Sequence, residues 1–339
     1  SEYGADALRF ALARIAGPDQ QNYPFGVRDA ETGRNFANKL WNAARLVLGE
    51  LKSDGPPVLP PEDRRGPVDR WLLSRHEACR AEVDQALEDY RFDTAAQTLQ
   101  RFLWSELCDW GLEMSKPRLY EGSPEEKAAS ASVLAWVLER SLRLLHPIMP
   151  FVTEEIWQRF GAGESIVIAD WPEPHEEHRD ESAERAFSFA EDLVVAVRSF
   201  RSGHRLGPGT PLSVSVRASE EQRGVLAVLD QEIRRVGRIS DLKALEGPSE
   251  SSRNARVLVQ GAEVLIPFEG VLDPEEECGR IRSRLSGLSK DAEGVARKLE
   301  NKGFTEKAPP DVVEKQRQKL VKLEEERALL EAQLVELGC

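Results

Sequence analysis

The chain has 339 residues, 40% of them hydrophobic and 31% charged, with a formal net charge of −13. That length accommodates two or three domains with real cores. The acidity excludes indiscriminate adhesion to nucleic acid, so any RNA contact has to be local and shaped.

The opening SEYGADALRF lacks a leading Met and starts in what reads as mid-element, so the sequence is expected to be a fragment with something missing upstream. Residues 1 to about 165 read as helices: YGADALRFALARI, RNFANKLWNAARLVL, PVDRWLLSRHEACRAEVDQALEDY, DTAAQTLQRFLWSELCDWGLEMSK, and the run from PEEKAAS to EEIWQRF. Gly/Pro clusters such as KSDGPPVLPPEDRRGP and YEGSP separate them, as expected for a helix bundle. From 166 to 272 the period changes. After an acidic linker, ERAFSFAEDLVVAVRSFRSGHRL reads as a helix that stops at GPGTP. The alternating LSVSVRA, a helical EEQRGVLAVLDQEIRRV, a short ISDLKAL and a VLVQGAEVLIPF hairpin turning at Gln260 and Gly261 complete a small α/β unit. From 273 to 339, Ile281, Leu285, Leu288, Ala292, Val295 and Leu299 form a heptad seam. A second seam runs through Val313, Gln316, Leu320, Leu323, Arg327, Leu330, Leu334 and Leu337. The short connection makes an antiparallel hairpin the economical solution. The predicted fold is therefore mainly α: a bundle, a small α/β unit and a coiled-coil hairpin.

The helix at 34–48 carries three asparagines. At about 100° per residue, Arg34, Arg45, Asn38, Asn42, Asn35 and Lys39 fall on one arc, and Phe36, Leu40, Trp41, Ala43, Ala44 and Val47 on the other. Leu46 alone breaks the division. Asn is a mediocre helix former, so a face chosen for solubility would favour Glu, Lys and Gln. Amides set between cations suit the edges and phosphates of unpaired nucleotides.

In their order, YGADALRFAL, RNFANKLWNAARLVL, DRWLLSR, CDWGLE, LHPIMPFVTEEIWQ and KLENKGFTEKAPPDVVEKQRQKL resemble the C-terminal half of valyl-tRNA synthetase, a class I aminoacyl-tRNA synthetase. GADALRF and the LHP-to-EEIW stretch are shared with isoleucyl and leucyl relatives, and the tail selects the valyl type. The resemblance implies a helical anticodon-binding domain, preceded at 1–20 by the tail of the connection to the catalytic core, and a tRNA-binding arm. It implies Arg28, Arg34, Asn35, Asn38, Lys39, Asn42, Arg45 and Leu46 at the anticodon. Relatives often have an aromatic at Leu46, which could stack on a base; leucine offers only apolar contact. Arg297, Lys298, Lys302 and Lys307, near the hairpin connection, would support the tRNA elbow. Valine tRNA is the implied partner, with a monomer in the cytoplasm and no membrane. HIGH-like and KMSKS-like motifs do not occur in the sequence, so ATP and Mg belong to a core outside it and no cofactor is expected here. Two alternatives stay open: a non-catalytic scaffold with a protein-interaction arm, and the equivalent part of an isoleucyl or leucyl enzyme.

Other candidate chemistry is weak. Met114-Ser115-Lys116 mimics part of KMSKS without its flanking residues. His175 and His178 have a spacing compatible with metal ligation but sit among carboxylates and prolines, as in a solvated linker. Trp104, Cys108 and Trp110 read as bundle core. Cys79, Cys108, Cys278 and Cys339 are far apart with no CxxC pair, so neither a disulfide nor a zinc framework is expected and the compartment reads as reducing.

Overall fold

The computed structural model describes residues 3–17, 25–51, 55–245, 254–268, 271, 274–301, 303 and 310–339. They fall into two compact units, residues 1–195 with 224–237, and residues 196–223 with 238–339.

The first unit is the helix bundle. It contains α1 (Ala5–Ile15), α2 (Val27–Glu50), α3 (Pro67–Glu88), α4 (Phe92–Arg101), α5 (Leu112–Glu121), α6 (Pro124–Leu145) and α7 (Pro150–Trp157). A π-helical stretch, Phe102–Gly111, joins α4 to α5, so the single helix expected at 93–116 is continuous but underwound in its middle. Helix starts follow the sequence signals. Pro124 occupies the first turn of α6, and Ser123 and Glu126 form a reciprocal capping box. The core is built from side chains on the inward arcs: Phe10, Phe36, Leu40, Leu72, Leu99, Phe102, Leu103, Met114, Leu138 and Leu142 are almost fully buried.

Charged groups stitch the helices together. Asp69, at the start of α3, accepts from the Gly66 amide at 2.8 Å, Arg118 at 2.7 Å and Ser130 at 3.0 Å. Burial pushes the Asp69 carboxyl up, against the pull of Arg118. Glu139 of α6 accepts from Trp157 Nε1 at 2.7 Å and from Arg143 at 2.9 Å. The expected solvated linker around His175 and His178 is instead packed. Glu176–His178 is a 3₁₀ turn against α3, His178 is buried, and Trp136 of α6 meets both imidazoles edge-on. Two apolar-faced rings found a covered surface that the surrounding carboxylates hid in the sequence.

Helix α8 (Glu181–Gly203) runs across the division between the units. Asp180 accepts from the Ala183 amide at 2.9 Å at its start. The second unit has a four-stranded sheet in the order β2-β1-β4-β3. Strand β1 (Ser213–Arg217) pairs parallel with β2 (Asp241–Leu245) and antiparallel with β4 (Ala262–Pro267), which pairs antiparallel with β3 (Asn254–Val259). The expected hairpin turn is found at Gln260 and Gly261, with φ of 48° and 81°. Two left-handed residues are what a two-residue turn needs to match strand twist. ISDLKAL supplies β2, and the helical stretch before it is split into α9 (Glu220–Val228) and α10 (Asp230–Gly237), of which residues 224–237 count with the first unit. Parallel pairing of β1 with β2 requires such a crossover.

The last two helices, α11 (Pro274–Glu300) and α12 (Pro310–Leu337), pack on each other. Ile281, Leu288, Ala292 and Val295 are buried in the predicted seam, with Leu285 and Leu299 half-buried. Arg327, placed on the second seam, is exposed and pairs with Glu331 at 3.4 Å, because its long stem lets the guanidinium leave the interface. One cysteine expectation fails. Cys278, near the start of α11, and Cys339, the last residue, are joined by a disulfide with 6.3 Å between their Cα atoms. The hairpin returns residue 339 to the foot of α11, a closeness that 61 residues of separation conceals.

Candidate nucleic-acid interface

Helix α2 is fixed from beneath before its polar arc is presented. Gly33 lets α1 approach so closely that a Cβ there would lie 2.4 Å from the Ala7 carbonyl oxygen. The Phe10 and Phe36 rings meet beside that crossing at 4.8 Å. Asp6 of α1 accepts from the Val152 amide at 2.6 Å and the Phe151 amide at 3.2 Å, holding the start of α7. Arg14 of α1 pairs with Asp29 of α2 at 3.3 Å. The inward arc is as expected: Phe36, Leu40, Ala43, Ala44 and Val47 are buried, while Trp41 and Leu48 are half-buried.

The outward arc divides into free and engaged groups. Arg28, Asn35, Asn38, Asn42 and Arg45 are exposed, and their side chains make no hydrogen bond or ion pair among the described residues. Three amides and two cations thus stand open on one rigid helix, each amide able to donate and accept. Lys39, expected to contact RNA with them, is already engaged. Its ammonium lies 2.5 Å from Asp109 and 4.0 Å from the centre of the Trp104 ring, and its side chain is only 23% exposed. Both partners project from the π-helical stretch, whose extra residue per turn the sequence pattern does not reveal. Trp104 is half-buried and also touches Phe36, with ring centres 6.5 Å apart. Burial pushes the neighbouring Cys108 thiol up to about 12, with Lys39 opposing and Asp109 reinforcing.

Arg34 takes a third position. Its guanidinium lies 5.3 Å from the Tyr3 ring centre, and with Asn38, Ala37, Asp6 and Phe151 it lines a cleft of about 380 Å³. Phe151 is 65% exposed there. The sequence reading put apolar contact only at Leu46, which is half-buried. Phe151, following Pro150 at the first turn of α7, was visible only as part of the LHPIMPF motif. On the arm, Arg297 is 79% exposed with Glu293 at 3.5 Å, and Lys298 is exposed. Lys302 and Lys307 lie outside the described residues.

Comparison with known proteins bears on both regions. The family model described as "Anticodon-binding domain of tRNA ligase" matches residues 69–216, and "Valyl tRNA synthetase tRNA binding arm" matches 273–338. The chain thus resembles an anticodon-binding domain over its bundle and a valyl-type tRNA-binding arm over its last two helices. Among curated proteins it is similar to the valine–tRNA ligase of Geobacillus kaustophilus, 37% identical over 99% of this chain. It is also similar to that of Geobacillus stearothermophilus, 36% identical over 99%, and to that of Streptomyces avermitilis, 38% identical over 98%. The chain spans 38% of the length of each Geobacillus relative and 37% of the Streptomyces one. Among the described residues, no helix is long and apolar enough to cross a membrane.

Proposed function

We propose that this chain is the tRNA-recognition portion of a valine–tRNA ligase. Its α2 reads the anticodon loop of valine tRNA, and its arm supports the elbow. Activation and transfer of valine, with ATP and Mg, belong to a catalytic core outside this sequence. The protein works as a monomer in the cytoplasm. The domain partition follows the same logic: residues 1–165 for the anticodon, 166–272 as connection, 273–339 as arm. The observation that carries this reading is the set of exposed amides Asn35, Asn38 and Asn42, without a partner among the described residues, between Arg28 and Arg45 on a helix locked from beneath.

In this reading Asn42 makes a two-way hydrogen bond to a base edge, while Arg45 offers charge to phosphate. A lost base contact costs about 1–3 kcal/mol and relaxes discrimination at that nucleotide, whereas a lost phosphate contact weakens all RNAs and flattens the salt slope. The test is binding of a valine anticodon loop, and of one with its middle A replaced, to Asn42→Ala and Arg45→Ala at two salt concentrations. Asn42→Ala is expected to narrow the gap between the loops and Arg45→Ala to lower both affinities together. An unchanged ratio in folded Asn42→Ala makes the amides a solvated face. If deletion of residues 273–339 leaves tRNA affinity intact, the arm is a protein-interaction element instead.

A further inference from the structure

Away from α2, the first unit holds three histidines around one tryptophan. Trp136 of α6 has its ring centre 5.5 Å from that of His76, 5.6 Å from His175 and 5.3 Å from His178. His175 and His178 stack at 5.0 Å with 24° between their planes. His178 is 8% exposed, yet its buried Nδ1 has no hydrogen-bond partner among the described residues. Leaving such a nitrogen unsatisfied costs about 1–3 kcal/mol, a cost that a bound ligand would relieve. Glu177 completes a third corner. One donor atom from each of His175, Glu177 and His178 lies within 4.8 Å of the others, and the His175 Nδ1 to Glu177 Oε1 distance is already 2.9 Å.

We propose that His175, Glu177 and His178 form a zinc site that pins the 3₁₀ turn at 176–178 against α3 and α6. Two imidazoles and one carboxylate are a borderline donor set that suits Zn²⁺, leaving a fourth position for water. With metal–ligand distances of about 2.0–2.1 Å, a tetrahedron has edges of about 3.3 Å, so the widest pair has to close by about 1.5 Å. The His175 Nδ1 and Glu177 Oε1 pair, at 2.9 Å, is already close to such an edge, and the Glu177 side chain, 68% exposed, is free to adjust around a metal. Nearby guanidinium groups do not forbid a dication. Arg80 is held by Glu77 and Asp84 and lies 3.8 Å from Glu176, and Arg140 is spread over the Trp136 face at 3.8 Å. Zinc held through the His178 Nδ1 would give that buried nitrogen a partner.

The test uses the whole 339-residue chain and Co²⁺, whose visible absorption reports tetrahedral nitrogen and oxygen ligands. One equivalent should bind saturably and be displaced by Zn²⁺, and Zn²⁺ should slow hydrogen exchange at 175–180. His175→Ala and His178→Ala should abolish the band. Because His178→Ala also removes packing, Glu177→Gln provides the variant that keeps both stacked rings. It should remain folded by circular dichroism and bind Co²⁺ at least about tenfold more weakly. Cys108→Ser should leave the spectrum unchanged. No saturable band, undiminished affinity in folded Glu177→Gln, or loss of the band in Cys108→Ser overturns the proposal.

Discussion

Helices α2 and α11 are both long and amphipathic, but they rest on different supports. Beneath α2 lie side chains from several helices, so Phe36, Leu40 and Val47 reach 1% exposure. Helix α11 packs along its seam chiefly on α12, and Leu285, Leu299, Leu320, Leu323, Leu330 and Leu334 remain half-buried. Charges follow suit. In the bundle, Asp69 and Glu139 sit in buried networks with two or more partners each. Along the hairpin, Arg284 with Glu326 at 2.8 Å and Arg297 with Glu293 at 3.5 Å are exposed pairs. Surface pairs are worth little and are screened by salt. A rigid platform can hold hydrogen-bonding groups where base identity is read. A two-helix arm can offer charge and length but little positional precision.

If the hairpin is the more weakly packed region, its covalent tie matters most. A disulfide closing 61 residues is worth about 4 kcal/mol on the chain-entropy model. Reduction, or Cys339→Ser, should therefore speed hydrogen exchange along α11 and α12 and leave α2 unchanged. Equal exchange in oxidised and reduced protein would show that the seam suffices alone.

The same substitution should have opposite signs in the two regions. Gly33→Ala drives a methyl into the Ala7 backbone and should cost about 3 kcal/mol, loosening α1 from α2. Gly294→Ala in α11 meets nothing within 4 Å and should stabilise that helix by about 0.5–1 kcal/mol. Both are measurable as shifts in thermal unfolding. A stabilising Gly33→Ala would mean that α2 is not locked from beneath.

The smallest effect concerns the start of α6. The Ser123 backbone amide, donating to Glu126, holds that carboxyl below its ordinary value. A depressed folded pKa means the unfolded chain takes up the proton first. The stabilisation is present above the unfolded value of about 4.5 and is lost as pH falls through the folded one. Ser123→Ala should cost about 1 kcal/mol near neutral pH. Glu126→Gln should remove this part of the acid sensitivity, seen as slower growth of exchange at 124–128 on acidification. Unaltered acid sensitivity in Glu126→Gln would place the titration elsewhere in the bundle.

Periodicity made the bundle helices, the hairpin turn and both heptad seams legible in this sequence. Each rests on local rules: a 3.6-residue stripe, the left-handed tolerance of Gly261, the recurrence of Leu and Ile. The two arcs of α2 were readable for the same reason. What those arcs touch was not. That Asn42 has no partner among the described residues while Lys39, three residues before it, is held by Asp109 and Trp104 depends on a π-helical stretch some seventy residues further on. Likewise, no spacing rule brings Cys339 back to Cys278, places Phe151 beside Arg34, or stacks His175 on His178 against Trp136. Sequence by itself determined which faces are apolar, because burial free energy follows side-chain chemistry at fixed helical intervals. Only the tertiary structure decided which polar groups remain unpartnered, because that depends on which distant segments the packing of those faces brings within hydrogen-bonding reach.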